Sequence, residues 1–179
     1  MTHQDILTFW FQEVEPKAWW IKDSKFDQII KTRFLETHQA ACNDELIEWR
    51  STPEGRPAEI IVLDQFSRNI YRDQAKAFEN DSLALALAQD AIFNRCDQEL
   101  EAKQKTFLYL PLMHSESPFI HIQAERLYKQ QGMESNYESE LKHKAIVDRF
   151  GRYPHRNAIL GRTSTPEEEA FLQQPGSSF

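Results

Sequence analysis

Asp81-Ser-Leu-Ala-Leu-Ala-Leu-Ala-Gln-Asp-Ala-Ile-Phe93 decides the fold class. Its interior is mostly Ala and Leu, strong helix formers. It opens on Asp81 and Ser82, residue types that cap helix N-termini. The stretch predicts a helix through Phe93. Upstream, Pro57 suits the first turn of a helix running to about Tyr71, with Ile60, Ile61, Leu63, Phe66 and Ile70 as its buried face. Ser51-Thr-Pro-Glu-Gly55 is a turn, and Leu46, Ile47 and Trp49 mark a helix before it. Phe26, Ile29, Ile30 and Phe34 recur at helical spacing, behind Ser24-Lys-Phe-Asp27, which has the form of a capping box. Thr2 caps a first helix carrying Ile6, Phe9 and Trp10, ended by Pro16.

Downstream, a helix from about Gln98 to Leu110 meets Pro111, which is expected to end or kink it. Ser117-Pro118 opens the next helix, with Ile120, Ala124, Leu127 and Tyr128 inward and Gly132 as its stop. Residues 136–150 form another, closed by Gly151. Thr165-Pro166-Glu-Glu168 combines an N-cap, an N1 proline and a capping box, and starts a short helix to Leu172. This makes an all-α chain of about nine helices joined by short turns, an antiparallel array or bundle in a single domain over residues 1–179.

Composition agrees. The chain has 179 residues, 40% hydrophobic and 12% aromatic, with only five glycines, enough for a real core and weighted toward helix. Cys42 and Cys96 have neither metal-site nor redox-motif spacing and read as free thiols. No secretory signal or long apolar run is present, so a cytoplasmic location with no membrane partner is expected. A net charge of −7 argues against nucleic-acid binding.

Against that acidic background, residues 142–162 hold Lys142, Lys144, Arg149, Arg152, Arg156 and Arg162 against one acid, Asp148. Lys142, Lys144 and Arg149 complement a helix C-terminus. Arg152, His155, Arg156, Asn157 and Arg162 remain, in a loop stiffened by Pro154. Guanidiniums match carboxylate or phosphate, and His155 suits proton transfer near neutral pH. The same arginines also fit an internal network with Asp64 and Glu116.

Three segments carry a family resemblance: Leu63-Asp-Gln-Phe-Ser-Arg68-Asn-Ile-Tyr-Arg72, Tyr109-Leu-Pro-Leu-Met-His114-Ser-Glu116, and Arg149 through Arg162 with Ser164-Thr-Pro-Glu-Glu168. The closing Pro175-Gly-Ser-Ser-Phe179 fits as well. Together they resemble the bacterial family called domain of unknown function 924. That resemblance implies an all-helical, tetratricopeptide-like superhelix or bundle, and no reaction. The Ala/Leu segment also resembles tetratricopeptide helices, although no strict repeat period is present.

The candidate site therefore takes His114 and His155 as acid–base residues, with Asp64, Arg68, Asn69, Glu116, Arg152, Arg156, Asn157 and Arg162 as ligand contacts. Asp64, Arg68 and Arg72 share a helical stripe, which also fits an ordinary surface ion pair. His114, Glu116, His121 and His143 lack metal-ligand spacing, so neither metal nor cofactor is expected. The first functional reading is a pocket for a small anionic ligand. Whether that pocket is catalytic the sequence leaves open. The other is a groove for an acidic peptide, without catalysis. Trp19-Trp20 reads either as core or as an interface anchor.

Overall fold

The computed structural model describes residues 1–178, so the closing Phe179 lies outside the described residues. Every regular element is helical, with no strand among the described residues. The helices are α1 His3–Thr8, α2 Ser24–Cys42, α3 Gly55–Ile60, α4 Ser67–Ile70, α5 Asp81–Phe93, α6 Ala102–Met113, α7 Pro118–Tyr128, α8 Glu134–Phe150 and α9 Pro166–Leu172. The chain divides into two compact units. Unit 1 is Met1–Arg72 with Lys76–Pro111, and unit 2 is Asp73–Ala75 with Leu112–Phe179.

In unit 1, Thr2 and Asp5 form a reciprocal capping box at α1, satisfying N–H groups that a helix start leaves open. The cap of α2 is Asp23, not the expected Ser24: its Oδ1 accepts from the N–H groups of Lys25 and Phe26. A carboxylate there also favours the helix dipole. Asp27, expected to close a box with Ser24, instead accepts from Asn69 and Arg72. Likewise Asp81 is the first residue of α5 and pairs with Arg68, while Asn80 stands at the cap.

Gly55 has a specific reason. A Cβ there would lie 1.9 Å from the Trp49 carbonyl oxygen, so only glycine lets α3 start against the preceding turn. Between α3 and α4, residues Ile61–Phe66 wind as a π-helix. The expected surface helix with one buried face is in fact buried all round. Ile60, Ile61, Leu63 and Phe66 have no exposure, and Asp64 has 1%. The segment is packed by α2 and α5 as well as by the adjoining α3 and α4, which leaves none of its sides open to water. The core around it is aromatic: Phe34 packs 4.6 Å from Phe9 and 4.9 Å from Phe66. Pro111 does not end α6, which runs on to Met113. So close to the helix end, a proline removes little of the hydrogen-bond ladder.

In unit 2, α7 and α8 pack along each other across a short turn. α7 ends at Tyr128, before the expected Gly132, which adopts a positive φ in that turn. Gly151 closes α8 in the left-handed conformation, and Thr165 with Glu168 forms the expected capping box of α9. Ile146, Val147 and Tyr153 form a core here, with Phe150 and Phe171 against it.

Candidate functional site

The loop after Gly151 is held by side chains that the sequence offered as ligand contacts. Arg152 donates to both oxygens of Glu168, at 2.6 and 2.8 Å, and to the Thr163 carbonyl. That guanidinium, helped by the Thr165 N–H, holds the Glu168 carboxyl down to about 2. Asn157 donates to Ser164 and, at 3.4 Å, to Glu168. Arg162 grips Glu116 through two bonds, at 2.6 and 2.9 Å, and Glu116 also accepts from the Tyr153 N–H. Burial opposes ionisation of Glu116, but Arg162 and that N–H outweigh it and lower its pKa. Arg152, Asn157, Arg162 and Glu116 thus hold the loop in one shape. Arg149 pairs with Glu167 and Lys144 with Asp148.

Unit 1 treats its candidates similarly. Arg68 pairs with Asp64 and with Asp81, each at 3.0 Å. Buried Asp64 also accepts from Gln65, and Asn69 donates to Asp27. These are ion-pair and hydrogen-bond devices between helices.

What the loop builds is a ring of cations and imidazoles around one buried tyrosine. Tyr153 is 1% exposed, and its hydroxyl donates to the Met113 carbonyl at 2.5 Å. His155, His143 and His121 lie 5.5, 5.9 and 6.3 Å from it, centre to centre. The Arg156 guanidinium sits 4.6 Å over the same ring and donates to the His114 carbonyl. Four of the six histidines therefore share one neighbourhood. His114 and His155 are half-buried, whereas His121 and His143 are buried. Burial above all, with the nearby His114 and His155 adding to it, pushes His143 down to about 3.

His121 and Glu140 pair across α7 and α8, both with no solvent exposure. His121 Nε2 lies 2.8 Å from the Ser115 carbonyl, which can only accept. It is 3.2 Å from the Tyr153 hydroxyl, whose hydrogen is already committed to Met113. Nε2 therefore carries a proton. Nδ1 lies 2.7 Å from Glu140 Oε1, so one further proton sits between them. Burial pushes the Glu140 carboxyl up against the opposing pull of His121, and its Oε2 is buried without a hydrogen-bond partner. Both facts favour the neutral pair, with Glu140 as the acid donating to Nδ1.

The sequence reading picked out His114, His155 and Arg156 but missed Tyr153 as the hub, and His121, His143 and Glu140 as its surroundings. The signal was the crowding of four histidines between residues 114 and 155. Three of them, His114, His121 and His143, with Glu116, were set aside for lack of metal-ligand spacing. Among the described residues, no group of three or more His, Cys, Asp or Glu is arranged to hold a metal ion.

The three segments quoted above, the helical architecture and this loop point to one family. A description of bacterial proteins of unknown function, DUF924, matches residues 6–176. The chain belongs to the DUF924 family. It is similar to a solved structure of a protein of unknown function from Agrobacterium tumefaciens, with 37% identity over 96% of each chain and a TM-score of 0.90. No curated protein matches.

Proposed function

We propose that the cluster around Tyr153 is a site for a small anionic ligand, a carboxylate or phosphate ester, with His114 and His155 transferring protons on it. One observation carries this reading: three histidines and Arg156 pack around one tyrosine, His114 lies within electrostatic reach of His143, and His114 and His155 are the histidines of that group that reach solvent. Packing imidazoles together keeps one or more neutral near pH 7 while a neighbour is protonated. Such a pair supplies a base and an acid side by side. Arg156 adds fixed positive potential from beneath. A bound anion offsets the repulsion among these groups, which gives it a reason to bind there. Arg152, Asn157, Arg162 and Glu116 hold the loop, so the site is preorganised.

A tetratricopeptide-like arrangement belongs to the same proposal and is supported by the α7–α8 hairpin. A cytoplasmic location is supported by the free thiols of Cys42 and Cys96. No helix among the described residues is long and apolar enough to cross a membrane.

The test is a thermal-shift screen with inorganic phosphate, phosphate monoesters and small carboxylates, since binding to the native state raises the melting temperature. A hit is expected to weaken in His155→Ala and His114→Ala and to fade as pH rises above the histidine range. An anion-induced shift unchanged in both variants would sink the proposal.

A further inference from the structure

Unit 1 carries a second feature that the Tyr153 site does not use. Pro16–Trp20 forms a 3₁₀ turn leading to Ile21 and then to α2. Trp19 turns inward: its Nε1 donates to the Trp10 carbonyl and its ring packs 5.0 Å from Phe107. Trp20 does the opposite. Its ring lies parallel to Phe107, 8° off and 5.8 Å away, so one indole face is backed and cannot fold further in. Trp20 is 57% exposed and the adjacent Ile21 54%. Both side chains are held outward, at a cost in solvated apolar surface.

Lysines flank this pair in the chain. Lys17, Lys22 and Lys25 are exposed. The acid among them, Asp23, is occupied in capping α2. Lys103 lies over the Phe11 and Trp19 rings, at 5.1 and 5.0 Å. Just upstream, Glu13 is held by Arg33, and Glu15 is exposed. An acidic protein thus presents an exposed Trp-Ile pair flanked in the chain by three exposed lysines against Glu15 and Asp23.

We propose that Trp20 and Ile21, with Lys17, Lys22 and Lys25, dock unit 1 on an anionic lipid surface. The indole and the isoleucine enter the boundary between headgroups and acyl chains, where Trp is favoured. The lysines reach the headgroup phosphates and carboxylates, extending their stems along the apolar layer. The charge complementarity is local. At physiological salt the screening length of about 8 Å lets these exposed lysines act while the rest of the −7 chain is largely screened. A protein partner fits less well. A Trp and an Ile offer on the order of 200–300 Å² of apolar surface, against roughly 1,000 Å² needed for a specific protein interface. Combining a small apolar insert with a basic patch is, by contrast, sufficient for reversible membrane binding.

The test uses the full chain with vesicles of phosphatidylcholine alone or mixed with phosphatidylserine, read by co-sedimentation and by tryptophan emission. Binding and a blue shift are expected only with phosphatidylserine. Trp20→Ser with Ile21→Ser is expected to weaken binding at least about tenfold. Replacing Lys17, Lys22 and Lys25 by Gln is expected to weaken it about a hundredfold. Phe93→Ser, which removes an apolar side chain 87% exposed elsewhere in unit 1, leaves binding unchanged. Circular dichroism establishes that each variant is folded. Failure of the wild type to bind anionic vesicles overturns the proposal and returns the patch to a protein ligand. Equal loss in Phe93→Ser, or no loss in either patch variant, overturns it too.

Discussion

His143 is expected to make unit 2 sensitive to acid, and the size of the effect follows from its surroundings. The ring is buried in α8, donates Nδ1–H to the Ser139 carbonyl at 2.8 Å, and faces Tyr153 and three other histidines. Burial lowers its pKa from 6.5 in the unfolded chain to about 3. A histidine depressed in this way is neutral in the folded state while the unfolded state takes up a proton. Its contribution is therefore full above about pH 6.5 and is lost progressively as pH falls towards about 3. At pH 5 the loss is about 2 kcal/mol, from about 1.4 kcal/mol per pH unit. His143→Asn isolates the effect, because Asn Nδ2 can replace Nδ1 as donor to Ser139 and does not titrate. Urea unfolding at pH 7.5 and pH 5 should show the wild type losing about 2 kcal/mol more than the variant. The probe matters: Trp10, Trp19, Trp20 and Trp49 all lie in unit 1, so fluorescence follows that unit. Far-UV circular dichroism also senses α7 and α8. Parallel stability curves for wild type and variant, within about 0.5 kcal/mol, would refute the buried neutral histidine.

Three further outcomes follow from the packing. Glu140→Gln is expected to cost under about 1 kcal/mol, because a neutral amide can replace a neutral acid as donor to His121. A loss above about 3 kcal/mol would instead mark a buried ion pair, which tolerates no neutral partner. Gly55→Ala should cost about 3 kcal/mol in chemical denaturation, since its Cβ meets the Trp49 carbonyl and the backbone must move; a neutral result would contradict the close approach. Thr165→Ala removes the cap of α9 and should cost about 1 kcal/mol, whereas Thr163→Ala, exposed and outside that capping box, should cost less.

Local rules reached far into this fold because much of it is locally determined. The Thr165 cap, the Gly151 stop and the Ala/Leu helix are each specified within a few residues, and each formed where expected. Two of the failures share one cause. Asp27 turned to Arg72 and Asp81 turned to Arg68, because a distant guanidinium competes with a local N–H for the same carboxylate. Charge-assisted bonds win that competition where water is partly excluded. The candidate site divides along the same line. The loop's basic residues stood out in sequence as a charge anomaly, yet Glu168 and Glu116 pair with Arg152 and Arg162 in the fold. The Tyr153 cluster stood out less, because its members are spread from residue 114 to 156 and only tertiary packing gathers them. His121 and Glu140 are the extreme case. Nineteen residues apart on facing helices, they form a proton-sharing pair only once both are dry, and a polar pair buried that deeply persists only if its protons are placed correctly. The surplus charge in the sequence marked the scaffold of the loop, while the half-buried imidazoles of His114 and His155 carry the chemistry proposed for this protein.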